Sequence, residues 1–175
     1  MDERITQCDK IIEDLISFTR ISTPVYSSVA LSEVLESTLA RVETPGGISV
    51  IRDYGETDVH VQADPLQLLR VFTNLIANAN EAMLDGGELT VAVRSVGPSA
   101  EVAITDTGPG ISPEGLEKIF EPLYTTKIQG TGLGLSVCQQ VISKHNGSLD
   151  VHSKVGEGTT FTVSLPLFDA SSQLL

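Results

Sequence analysis

Asp106-Thr107-Gly108-Pro109-Gly110 and Gly130-Thr131-Gly132-Leu133-Gly134 are two glycine loops downstream of Asn74-Leu75-Ile76-Ala77-Asn78-Ala79. Glycine lets backbone amides approach a phosphate with no Cβ in the way, and a helix beginning at Gly132 would aim its free N–H groups and positive dipole end at the anion. Asp106 follows the apolar run Val102-Ala103-Ile104, so a strand end holds its carboxylate where it could accept a hydrogen bond from the exocyclic amine of a purine. The ordered trio points to ATP. Either loop alone is an ordinary turn signal, because Asp and Gly form turns for local reasons. The second loop is not a Walker motif, since no Lys-Ser/Thr pair follows its last glycine, and it does not follow a strand as a dinucleotide fingerprint does.

The Asn-rich stretch lies on a helix with a readable start. Asp64 can cap free N–H groups, Pro65 suits the first turn, Gln67 can reach back, and the pattern runs to about Leu84 before Gly86-Gly87. Leu69, Phe72, Ile76, Ala79 and Met83 form its core stripe, while Asn74, Asn78 and Glu81 recur at i, i+4 and i+7 on another face. Each Asn costs a helix interior about half a kcal/mol relative to Ala, so three of them, counting Asn80, call for a reason. An amide oxygen is a hard neutral ligand suited to Mg²⁺, which takes few protein ligands beside nucleotide phosphates.

Around this helix the chain reads as a helix over 31–42, strands over 48–54 and 59–62, a hairpin of 89–93 with 102–104 about Gly97-Pro98, a helix over 133–145, and strands over 148–152 and 159–165 joined at Gly156-Glu157-Gly158. The expected fold class is α+β, a two-layer sandwich whose mixed sheet is covered on one face by about three helices. The stretch from about Pro113 to Gly130 lacks periodicity and is expected to be a loose lid. Near the N-terminus Ile5, Cys8, Ile12 and Leu15 follow alternating steps of three and four, the seam of a helix bundle, and this helix stops at Ser22-Thr23-Pro24. The expected division is a partial bundle helix over 1–23, a nucleotide-binding domain over 24–170, and a tail over 171–175.

Composition narrows the function classes. The 175 residues carry 41% hydrophobic content and a net charge of −12, and no Lys/Arg-rich stripe offsets that charge, which argues against a nucleic-acid partner. No run approaches the roughly 20 apolar residues of a membrane helix and no signal segment leads the chain, so the expectation is a cytoplasmic protein that makes no membrane contact itself, although a parent protein could be anchored. Cys8 and Cys138 lie far apart on apolar helical faces and read as buried free thiols.

In its motifs the chain resembles the kinase module of sensor histidine kinases, of the superfamily that includes gyrase, Hsp90 and MutL. Asn74 to Ala79 is similar to the family's Asn box, Asp106 to Gly110 to its first glycine box, Phe120-Glu121-Pro122-Leu123-Tyr124 to its Phe box, and Gly130 to Leu135 to its second glycine box. The ending Gly158-Thr159-Thr160-Phe161-Thr162-Val163-Ser164-Leu165-Pro166 also matches, and the resemblance covers about 29–167. It implies a Bergerat-type ATP-binding fold in which Asn78 holds Mg²⁺ with Asn74 beside it, Asp106 reads the adenine amine, and Gly108 and Gly110 line the base pocket. Thr125, Thr126 and Lys127 would belong to a lid, with Lys127 touching phosphate. The amides of Gly132, Leu133 and Gly134, between Gly130-Thr131 and Leu135, would cradle the phosphates. The family commonly carries a lysine where Glu81 stands here.

The helix from Ile5 to Ile21 resembles the second helix of the family's dimerisation and phosphoacceptor bundle. None of His60, His145 and His152 is followed by the expected acidic residue, so the acceptor is expected on a first helix that the chain lacks, and the chain is expected to be part of a larger, homodimeric sensor protein. The implied activity is transfer of the ATP γ-phosphoryl group to that His, for relay to an Asp of a response-regulator receiver domain. Other readings are a hydrolytic conformational ATPase, an anti-sigma-type serine kinase, and a nucleotide-binding scaffold. Position 74 discriminates the first, because the hydrolytic relatives carry a Glu there to activate water and an amide cannot accept that proton.

Overall fold

The computed structural model describes residues 22–55, 58–127 and 130–168, so the expected bundle helix with Cys8, and the tail, lie outside the described residues. In chain order the elements are β1 (Ser27–Ala30), α1 (Leu31–Leu39), β2 (Ile48–Asp53), β3 (His60–Ala63), α2 (Pro65–Ala82), β4 (Gly87–Val96), β5 (Ser99–Asp106), α3 (Pro113–Leu116), α4 (Gly134–Lys144), β6 (Ser148–Lys154) and β7 (Gly158–Pro166). Five strands form one mixed sheet in the order β2-β4-β5-β7-β6, and β1 pairs with β3 in a separate ribbon. The architecture is the expected α+β sandwich.

Local chemistry explains the main elements. Asp64 caps α2, its Oδ1 accepting from the N–H groups of Leu66 at 3.0 Å and Gln67 at 3.2 Å, with Pro65 in the first turn. Leu68, Val71, Phe72, Leu75, Ile76, Ala79 and Met83 then recur three or four apart in pairs, a stripe wide enough to pack on the sheet and on both neighbouring helices. Full burial of each larger side chain contributes about 1.5–3 kcal/mol. At the end of α2 the Gly87 N–H donates to the carbonyl of Gly47 at 3.1 Å, which sets Ile48 opposite Gly87 and starts the parallel pairing of β2 with β4. Parallel strands need a long crossover, which β3 and α2 supply.

The sheet places the next functional residue by its period of two. Leu89, Val91 and Val93 of β4 and Ala100, Val102 and Ile104 of β5 point into the core, and continuing that alternation turns the terminal Asp106 toward the helices as well. On β7, Thr159 faces Asp106 and Phe161 faces Ile104 in the antiparallel register.

Three expectations are corrected. The strand β1 begins inside the expected linker, at Ser27, four residues with no alternation whose pairing with β3 is set by partners 30 to 36 positions away. The stretch from Pro113 is not uniformly free of packing: Ser112 caps the short helix α3, Gly115 and Ile119 are buried, and Phe120 and Tyr124 pack on the core. The helix α4 begins at Gly134 rather than Gly132, because Gly132 takes φ +68°, outside helical space. Cys138 is a buried free thiol as expected, its pKa pushed up to about 12 by burial. No helix among the described residues is long and apolar enough to cross a membrane.

Candidate functional site

Between α2, the end of β5 and the segment before α4 lies a cavity of about 710 Å³. Its walls bring together residues from distant stretches of sequence, including Thr159 and Phe161 of β7. Asn74, Asn78 and Glu81 come from one face of α2, Asp106 and Gly110 from the first glycine loop, Thr125 to Lys127 from the segment after the Phe box, and Gly130 to Gly132, Gly134 and Leu135 from the second loop. Asn80 is different. It is buried on another side of the helix, where its Nδ2 donates to the Glu43 carbonyl at 3.3 Å, so packing of the loop after α1 accounts for that asparagine.

Asp106 is only 4% exposed. Burial pushes its pKa up, against the opposing pull of the N–H groups of Gly108, 2.9 Å from Oδ1, and of Thr159. A carboxylate so fixed and so poorly hydrated is a directional acceptor for a ligand donor. Gly108 does not line the cavity; it stands behind Asp106 and orients it, and a Cβ there would lie 2.8 Å from that Oδ1. Thr159 was missed by sequence reasoning as a site residue, although the motif containing it was recognised. Its partnership with Asp106 comes from strand register.

The second glycine loop is pinned at its root. Leu123, itself at φ +69°, donates its N–H to the Gly132 carbonyl at 3.0 Å, and a Cβ on Gly132 would run into the backbone of Leu123 and Tyr124. The segments 124–127 and 130–131 therefore meet α4 through one closely packed junction. Leu133 is also off the wall, buried at the start of α4, and the residues of α4's first turn that line the cavity are Gly134 and Leu135. At the rim, Lys127 donates through Nζ to Asn78 Oδ1 at 2.8 Å and forms an ion pair with Glu81. The ring of contacts joins the lid segment directly to α2.

Among the described residues no group of three or more His, Cys, Asp or Glu could hold a metal ion alone. The oxygens of Asn78 and Glu81 nevertheless already converge on one cation, the Lys127 ammonium, a donor set that fits a hard ion sharing its coordination with phosphate oxygens.

Residues 63–169 match the family described as "Histidine kinase-, DNA gyrase B-, and HSP90-like ATPase". The chain belongs to that family. It is 35% identical over 171 residues to sensor histidine kinase ZraS of Klebsiella oxytoca, covering 95% of this chain and 37% of that protein. Among solved structures, the mycobacterial sensor histidine kinase MprB superposes with a TM-score of 0.74 at 32% identity, covering 82% of this chain and 98% of that one. A histidine kinase ThkA in complex with response regulator protein TrrA shares the fold at 22% identity, TM-score 0.78, covering 95% of this chain and 49% of that one. The chain spans about two fifths of the length of the curated relatives it matches.

Proposed function

We propose that the chain is the ATP-binding catalytic core of a sensor histidine kinase, with residues 24–170 forming the kinase domain and 1–23 one helix of a dimerisation bundle. The observation that carries the reading is the convergence of Asp106, Asn78, Lys127 and the start of α4 on one cavity of about 710 Å³. Asp106 accepts from the adenine amine. The N-terminal amides of α4 and the Lys127 ammonium meet the phosphates, and Asn78, with Asn74 behind it, faces the ion. Magnesium neutralises charge on the phosphate oxygens when bound.

With the triphosphate so held, an imidazole nitrogen of an acceptor His attacks the γ-phosphorus in line, the bond to the β–γ bridging oxygen breaks, and ADP leaves. The acceptor comes from another helix, and the phosphoryl group passes to the Asp of a response regulator, as the assembly of ThkA with TrrA suggests by analogy. Asn74 favours this over hydrolysis, since its amide cannot take a proton from water.

Calorimetry with ADP and Mg²⁺ tests the site. Asp106→Asn is expected to weaken binding about 10- to 100-fold, the scale of a lost charge-assisted hydrogen bond. Unchanged affinity removes Asp106 from the base-reading role.

A further inference from the structure

Glu81 is the one residue of the cavity wall whose chemistry runs against a polyphosphate ligand without being needed for the base. Asp106 and Glu81 are both acidic, and among the described residues Lys127 is the single cation lining the cavity. A nucleotide di- or triphosphate entering without a counterion meets a site that is itself net negative. A lysine at position 81 would relieve that repulsion, but glutamate adds to it.

Geometry indicates what relieves it instead. Asn78 and Glu81 stand three residues apart on one face of α2, so their side chains are neighbours. One ammonium nitrogen touches both, donating to Asn78 Oδ1 at 2.8 Å and pairing with Glu81. Two oxygen donors of different charge thus already frame a single cation position at the cavity rim. The stand-in is weakly held, because the Lys127 and Glu81 side chains are 39% and 49% exposed, and solvent screens exposed pairs of this kind. A divalent ion arriving on phosphate can displace it.

Resting on the nucleotide-binding reading above, we propose that Glu81 joins Asn78 in holding the magnesium ion, directly or through a bound water, and so makes nucleotide binding depend on that ion. Lys127 holds the ion's place between the two oxygens. When the ion enters, the ammonium is released from both oxygens and turns to the phosphates, so that metal binding and lid closure become one exchange of partners. Asn78 gives the ion a neutral ligand and Glu81 a charge, which makes the pair selective for a divalent cation over a second ammonium.

The test is calorimetric titration of ADP into the whole chain at graded Mg²⁺ and in EDTA, for the parent, Glu81→Gln and Glu81→Lys. In EDTA the parent is expected to bind about 100-fold more weakly than at saturating Mg²⁺, a difference set by site charge. Glu81→Gln is expected to raise the Mg²⁺ concentration for half-maximal affinity by about tenfold, the scale of losing a group that supports a metal site. Glu81→Lys is expected to bind metal-free ADP within about threefold of its Mg²⁺-loaded affinity, since the new ammonium neutralises phosphate itself. In the parent, tryptic cleavage after Lys127 should accelerate on adding millimolar Mg²⁺ before any nucleotide is present. An unchanged Mg²⁺ midpoint in Glu81→Gln, with ADP binding intact, overturns the assignment of Glu81 alone. Failure of all three forms to bind ADP at saturating Mg²⁺ overturns the nucleotide reading and this proposal with it.

Discussion

The backbone N–H of Asp64 donates to Nε2 of His145 at 3.0 Å, joining the first residue of α2's cap to the last turn of α4 across 81 positions of sequence. An accepting Nε2 leaves Nδ1 as the donor, 2.8 Å from the Val141 carbonyl, and the ring is buried. Tyr26 packs against the ring edge-on at 5.4 Å and bonds the Lys144 carbonyl, which ties the segment entering the domain to the same corner. His145→Ala strands the Asp64 N–H and opens a cavity, and is expected to cost about 2–4 kcal/mol in urea denaturation. A loss below about 0.5 kcal/mol, the range of an inert surface change, contradicts this role.

Asp64 itself should leave a pH signature. Burial pushes its carboxyl up, but the N–H groups of Val25, Gln67 and Leu66 outweigh that and hold it below the ordinary carboxylate range. A depressed folded pKa means stability that is full above the unfolded value of about 3.9 and is lost as pH falls through the lower folded value. Asp64→Ala is therefore expected to cost about 1–2 kcal/mol near pH 7, with the gap to the parent closing as pH falls below the ordinary carboxylate range. A gap that stays constant across that range refutes the cap's ionic character.

Asp106 shifts the other way, and its consequence appears in binding. Burial raises its pKa despite the Gly108 and Thr159 N–H groups, and only the carboxylate can accept from an adenine amine. ADP affinity should thus fall as the solution is acidified through a midpoint above the ordinary aspartate value, with little change near neutrality. A profile flat down to pH 4, measured at saturating Mg²⁺, would show that the nucleotide does not use this group.

Gly132 and Gly156 make a matched pair of substitutions. Both have positive φ, +68° and +82°, but a Cβ at Gly132 strikes the Leu123 and Tyr124 backbone while at Gly156 nothing lies within 4 Å. Gly156→Ala should cost about 1–2 kcal/mol from backbone strain alone, and Gly132→Ala more than that, with weakened nucleotide binding because the lid's root is displaced. Equal losses in thermal unfolding would mean that the junction tolerates opening.

What the sequence disclosed was chemistry carried by local pattern. Asp64-Pro65 announces α2 because capping is decided within three residues, and the alternation through Ala100, Val102 and Ile104 puts Asp106 on the buried face because a strand's period is fixed. The residues of the glycine loops were legible by type, yet Gly108 and Leu133 proved to stand behind the cavity wall, since which atoms of a loop face a cavity is settled by packing around it. Contacts between distant segments left no trace in the sequence. The β1 strand, the Asp106 to Thr159 pairing, and the Lys127 bridge to Asn78 and Glu81 depend on partners 30 or more positions away, and Asn80 resembles its neighbours in sequence although its partner is the Glu43 carbonyl.

The most direct measurement of the central claim is transfer of label from γ-labelled ATP, with Mg²⁺, to a separately supplied cognate acceptor hairpin. The account predicts that the chain labels neither itself nor water quickly, that the hairpin is labelled slowly because nothing tethers it to the active site, and that the product is acid-labile and base-stable as phosphohistidine is. An acid-stable phosphoserine product, or rapid ATP hydrolysis that Asn74→Ala leaves untouched, would contradict it.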